Sequence, residues 1–135
     1  ALNRYVVKDP LELFSAQNEP LNVVKAKTAV HRDGDWHRVA EIVVINERSE
    51  LLLSLRQRSK KHFPNHWDVA LGGHLDPGET YVAAAQRELE EEIGVRVPEA
   101  ELRWLGVVSL ASVHDQPGLI DREHAGIFCW RTTLD

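Results

Sequence analysis

Methionine is absent from this chain, position 1 included, and cysteine occurs once, at Cys129. A single thiol excludes an internal disulfide and any zinc site built on several cysteines. It fits a reducing, cytoplasmic setting. The missing methionine and the abrupt finish at Asp135 predict a processed or trimmed chain. No apolar run approaches the roughly 18 residues of a membrane span, so no membrane partner is expected. No signal peptide opens the chain, where Arg4, Lys8, Asp9 and Glu12 interrupt the apolar residues. Bases are in the minority, 16 against 21 acids, for a formal net charge of −5. That excludes the basic surface of a general nucleic-acid binder and fits a protein that handles small molecules. Internal repeats, low-complexity tracts and interdomain linkers are missing too.

What is present suffices for one domain. Of 135 residues, 43% are apolar, enough for one sizeable core without disulfides or metal. We therefore read 1–135 as a single domain. Leu11 and Leu13, then Leu21, Val23 and Val24, flank Asn18-Glu19-Pro20 as two strands flank a turn. His31 to His37 form a polar loop around Asp33-Gly34. Val39–Ile45 is β-branched and predicts a core strand. A turn at 46–50 and an apolar run, Leu51–Leu55, come next, and then a basic stretch of Arg56, Arg58, Lys60, Lys61 and His62. Trp67–Leu71 predicts a short strand broken by Gly72-Gly73, with Trp67 structural. Residues 80–93 predict the clearest helix. Thr80 is its N-cap, Gly94 its terminator, and Val82, Ala85, Leu89 and Ile93 its apolar stripe. Leu102–Val113 and Ile127–Thr132 complete the strands. Strands, one long helix, then more strands make an α+β class.

That helix carries Glu88, Glu90, Glu91 and Glu92. At about 100° per residue, Glu88, Glu91 and Glu92 share one face and Glu90 points away. Ala84, one turn upstream, leaves the acidic face unobstructed. Like charges at these spacings repel, and they sit at the end of the helix that disfavours anions. A charge run can be a solvated face. It can also be a site for a hard cation such as Mg²⁺ or Mn²⁺, held by carboxylates together with substrate phosphates.

The residues upstream decide between these. Gly73, five residues, Glu79, seven residues, Arg87-Glu88, an apolar residue, any residue, Glu91-Glu92, any residue, Gly94 and an apolar residue complete a pattern over 73–95. It resembles the signature of the Nudix hydrolase superfamily at every fixed position. The resemblance implies a loop–helix–loop that binds Mg²⁺ or Mn²⁺ and cleaves a small-molecule diphosphate. Glu88, Glu91 and Glu92 match its metal-binding carboxylates. Glu79 matches a supporting glutamate, Arg87 the arginine that orients the acids, and Gly73 and Gly94 the glycines at the bends. Glu88 serves as base in some members, and others recruit a base from elsewhere. The family fold implied is a mixed β-sheet sandwiched between helices. Its usual C-terminal strand and helix are missing before Asp135, which leaves one sheet face to be covered by a neighbour, as in a homodimer.

The flanks resemble the isopentenyl-diphosphate isomerase-like branch, on His37-Arg38, Val43–Asn46, Leu51–Arg56, Ser59-Lys60-Lys61, Pro64, Trp67 and Gly73-His74. The resemblance implies a second metal site at His31, His37, His74, Asp121 and Glu123, a set suited to Mn²⁺, Fe²⁺ or Zn²⁺. It implies a diphosphate grip at Arg56 and Lys60. Of the two acids, Glu123 is the one assigned to catalysis, because isomerase-like hydrolases tend to keep an acid there. True isomerases carry a cysteine where this chain has Gly72. The expected activity is therefore hydrolysis of a phosphoanhydride in a nucleoside diphosphate linked to another moiety. The alternatives are an isomerase and a diphosphate-binding domain without turnover.

Overall fold

A computed structural model describes residues 6–55, 67–113 and 119–133. Its first elements are the expected hairpin, β1 (Pro10–Phe14) against β2 (Pro20–Ala26). Asn18 makes the turn at φ 66°, a left-handed conformation that asparagine tolerates. Ser15 Oγ accepts the N–H groups of Gln17 and Glu19 there.

The expected loop at His31 contains a helix instead, α1 (Lys27–Asp33). Asp33-Gly34 ends that helix rather than making a turn. Gly34 sits at φ 72° and donates its N–H to the Val30 carbonyl. Val30 is buried and packs with Leu11 and Leu13.

The central strand is β3 (Trp36–Ile45). It pairs in parallel with β8 (Ile120–Arg131) and antiparallel with β6 (Leu71–His74). The edge strand β7 (Leu102–Val113) pairs antiparallel with β8. The order is β2-β1-β3-β8-β7, with β6 also on β3, so the sheet is mixed as expected. β4 (Ser54–Leu55) and β5 (Trp67–Asp68) form a separate ladder.

Strand alternation sorts β3 and β8 into two faces. Ala40, Ile42, Val44, Phe128 and Trp130 point to one and are buried there. The helix α2 (Tyr81–Ile93) covers this face with Ala84, Ala85 and Leu89. Each large side chain fully buried here stabilises the fold by about 1.5–3 kcal/mol. Thr80 Oγ1 accepts the Ala83 N–H at 3.2 Å, and Gly94 closes the helix at φ 75°, both as expected. The other face carries His37, Glu41, Asp121 and Glu123, with α1 leaning over its β1 and β8 end.

Three expectations need correction. Gly72 and Gly73 do not break a strand but lie inside β6. A Cβ at Gly72 would enter the Ala40 carbonyl oxygen, and one at Gly73 would press on Glu88, so bare backbone lets these groups approach. Strand β8 starts seven residues earlier than Ile127, which places Asp121 and Glu123 inside a strand. The apolar run at Leu51, Leu52 and Leu53 is exposed. Trp67 is 64% exposed, whereas Trp130 is the tryptophan that fills the core. No helix among the described residues is long and apolar enough to cross a membrane.

Candidate active site

Arg87 organises the acids of α2. Its Nε and one terminal nitrogen grip the two oxygens of Glu79 at 3.0 and 2.9 Å. The same terminal nitrogen donates to the His74 carbonyl at 3.0 Å, and the other to Glu88 at 3.0 Å. Glu91 lies 3.5 Å from it as an ion pair. The Glu79 hydrogen bonds push the Arg87 guanidinium further up, and the Arg87 contact holds Glu79 below its usual range. Glu79 also accepts the Asp76 N–H, and Glu12 of β1 accepts that of Gly78, so the loop ahead of α2 is tied at both ends.

The three candidate metal acids are not equivalent, which corrects the expectation of an unobstructed face. Ala84 is fully buried, and Glu88, one turn on, is 9% exposed beneath Gly73. The Glu91 side chain is 59% exposed. Burial, and then the neighbouring Glu88, push Glu92 up. Two carboxyls this close resist joint ionisation unless a cation lies between them. The donor set, all oxygen, fits Mg²⁺ or Mn²⁺. Glu90 is engaged elsewhere, by Arg96 at 2.9 Å.

On the opposite face of the sheet, four elements bring a second group together. His31 comes from α1, His37 from β3, His74 from β6, and Asp121 and Glu123 from β8. Ligand atoms of His31, His37 and His74 lie within 4.8 Å of one another, as do those of His37, Asp121 and Glu123. The imidazole centroids are 5.2 to 5.7 Å apart. His37 Nδ1 is 3.1 Å from the Asp35 carbonyl, which only accepts, so Nδ1 carries the proton and Nε2 presents a lone pair. That Nε2 faces Asp121 Oδ1 at 3.5 Å. Both atoms are buried without a hydrogen-bond partner. Two opposed acceptors are costly in a fold and are satisfied by a cation.

The charge states agree. Burial lowers His37, and burial with nearby positive groups takes His74 down to about 3, so both are neutral. Burial, and then the hydrogen bond with Asp121, push Glu123 up to about 9. Burial opposes ionisation of Asp121 as well. The Glu123 hydrogen bond and the imidazoles outweigh it and hold Asp121 below its usual value.

A cavity of about 570 Å³ opens beside this centre, walled by Gly72, Gly73, His74 and Glu123, with Glu41, Asp68 and Lys27 further out. Glu41 is absent from the sequence-derived site. Its signal was available: it stands four residues after His37 in a strand and so on the same face. Tyr81 and His124 were also missed. Tyr81 donates to the His124 carbonyl at 3.0 Å, and the buried His124 ring lies 2.8 Å from the Ser15 carbonyl, pinning the hairpin to the sheet. The proposed phosphate grip at Arg56 and Lys60 lies outside the described residues.

Comparison with known proteins gives concordant results. The sequence profile of the NUDIX domain matches residues 35–135. Nudix hydrolase 3 of Arabidopsis thaliana is 32% identical over 124 residues, 91% of this chain but 16% of that protein. An isopentenyl-diphosphate Delta-isomerase of Serratia proteamaculans is 41% identical over 70 residues, 52% of this chain and 39% of its own length. The chain therefore spans well under half of these curated relatives. The crystal structure of the DR0079 protein of Deinococcus radiodurans superposes with a TM-score of 0.69 at 26% identity, covering 93% of this chain and 74% of that one.

Proposed function

The chain belongs to the Nudix family, and from that premise we propose that it is a pyrophosphohydrolase dependent on Mg²⁺ or Mn²⁺. Its substrate is a nucleoside diphosphate linked to another moiety, cleaved at a phosphoanhydride bond. The observation that carries this reading is the arrangement on α2, where Arg87 anchors Glu79 and Glu88 and leaves Glu88, Glu91 and Glu92 in mutual repulsion. When bound, the cation neutralises phosphate oxygens and acidifies a water. Glu88 supplies a buried ligand, and Glu91 and Glu92 supply exposed ones that meet the substrate side. Gly73 keeps the path over Glu88 open.

Glu123 is the proposed base. Glu88 is tied to Arg87 at 3.0 Å, whereas Glu123 lines the cavity. Burial and the Asp121 hydrogen bond hold its carboxyl above the usual range, and a cation at the neighbouring site would favour the ionised form that can take a proton from water. His31, His37, His74 and Asp121 form the proposed second metal site, with Glu123 at its rim.

The histidine centre is also the observation that favours the rival isomerase reading. Gly72 opposes it, because its backbone has no room for a Cβ, let alone a thiol. A domain without turnover is opposed by the intact Arg87-Glu88 and Glu91-Glu92. The deciding experiment is phosphate release from nucleoside di- and triphosphates, dinucleotides and nucleotide sugars with Mg²⁺ or Mn²⁺. Release from at least one class is expected. Interconversion of isopentenyl and dimethylallyl diphosphate with no release from any of these would overturn the hydrolase.

A further inference from the structure

Neither the acids of α2 nor the histidine centre accounts for Glu41. It stands in the middle of β3, facing the same side as His37, with Gly72 beside it across the β6 pairing and Ile127 across the β8 pairing. A Cβ at Gly72 would enter the Ala40 carbonyl oxygen, so that flank of Glu41 stays bare whatever the neighbouring sequence. The carboxylate therefore borders the cavity of about 570 Å³, whose lining also includes Asp68, Glu123 and His74. Among the described residues it has no hydrogen-bond or ion-pair partner. Burial, and then Asp68, push its carboxyl up. A half-buried carboxylate without a donor is costly, and the cost is removed by whatever brings one.

The deep end of the space is unsatisfied too. His37 Nε2 and Asp121 Oδ1 are buried without hydrogen-bond partners, within 4.8 Å of the ligand atoms of His74 and Glu123 respectively. The two ends call for different things. The deep end is built of imidazole and carboxylate and suits a cation. Around Glu41 the lining joins the carboxylates of Glu41 and Asp68 to Lys27 and to apolar side chains such as Val39 and Val69. The unpartnered Glu41 carboxylate suits a neutral group rich in hydroxyl or amino donors. It penalises a hydrocarbon chain, which would strip water from the carboxylate and return nothing.

We propose that Glu41 is a specificity-determining residue that accepts hydrogen bonds from hydroxyl groups on a sugar-like moiety carried by the diphosphate, and so rejects diphosphates of hydrocarbon alcohols. The inference rests on the diphosphate-hydrolase reading and names the half of the substrate that the acids of α2 do not read. Asp68 borders the same subsite from β5.

The test is a cycle of two proteins and two ligands. Nucleotide sugars that support turnover are compared with their deoxy analogues in the wild type and in Glu41→Leu. The wild type is expected to favour the hydroxylated substrate by about 10- to 100-fold in kcat/KM, as for one or two charge-assisted hydrogen bonds. Most of that preference should lie in KM. In Glu41→Leu it collapses toward one. Glu41→Gln keeps the shape and one acceptor oxygen and retains part of it, which decides the matter if the leucine variant does not fold. A preference that survives both substitutions, or a wild type indifferent to every hydroxyl, overturns the inference and leaves the hydrolase reading standing. A wild type that cleaves no diphosphate removes both.

Discussion

The two acid-rich groups flanking β6 are built on opposite principles. The acids of α2 follow one another within a helical turn, lie partly in water and have an arginine already in place. The histidine centre draws on α1, β3, β6 and β8, is largely buried, and leaves His37 Nε2 facing Asp121 Oδ1 with no proton between them. Local spacing suffices for the first because a helix fixes which side chains are neighbours. The second exists only once a sheet has registered. Water and Arg87 screen the charges of the first group. The second carries an internal cost that a bound cation would relieve. Two glycines lie between them: both line the cavity, Gly72 lies against the β3 backbone and Gly73 against Glu88.

The largest effect is expected on the helix side. Glu91→Gln should lower kcat by about 100- to 1,000-fold while circular dichroism and the thermal midpoint stay put, because this side chain is exposed. Equal activity would remove Glu91 from the mechanism. The glycines offer the next contrast. Gly72→Ala meets backbone and should cost about 3 kcal/mol or more in stability, in the class of strained and overpacked positions. Gly73→Ala meets the end of the Glu88 side chain, held by Arg87 but free of backbone, so it should cost less, about 1–2 kcal/mol, and lower the rate about tenfold. Denaturant titration and steady-state kinetics of both variants separate them, and similar stability losses would break the assigned division.

On the buried side, His37→Leu removes an unsatisfied polar atom together with the Nδ1 hydrogen bond to the Asp35 carbonyl. In chelator-treated protein the two offset, and stability should stay within about 1 kcal/mol of the wild type. The rise in thermal midpoint that Mn²⁺ or Zn²⁺ brings to the wild type should shrink. A metal-free variant that is clearly less stable would mean that His37 is an ordinary core residue. The smallest effect is the response to acid. The His74 pKa is held at about 3, below its unfolded value near 6.5. Between these values the unfolded chain binds a proton that the folded one refuses. Stability therefore rises with pH across that window and is lost as pH falls. The raised Glu123 carboxyl works in the opposite sense over the same range, so the rings are read in metal-free Glu123→Gln protein, where stabilities from denaturant titration at pH 7 and 5.5 should differ by about 1 kcal/mol, with the lower pH less stable. His37 acts in the same direction. A flat profile would place these rings in water.

Legibility followed the range of the interactions. The hairpin, the core of β3, all of β7 and both ends of α2 were readable from turn residues, alternation and caps. The seven-residue α1 was not, because a short helix carries little periodic signal and Asp33-Gly34 serves a turn and a helix terminator equally well. The continuity of β6 through Gly72-Gly73 was hidden because glycine has weak strand preference, and here its fitness comes from what presses on it. Trp67 resembled core by residue type and is exposed, since type alone says nothing of which face a strand buries.

By itself the sequence determined the helix, its caps and the side on which Glu88, Glu91 and Glu92 stand, because those relations repeat every 3.6 residues and need no partner. Only the tertiary structure decided that Glu88 is buried and Glu91 is not, that Gly72 admits no side chain, and that Glu41 opens into the cavity of the histidine centre. These depend on strand register and on which backbone passes within van der Waals contact, and register is set by long-range pairing of β3 with β6 and β8.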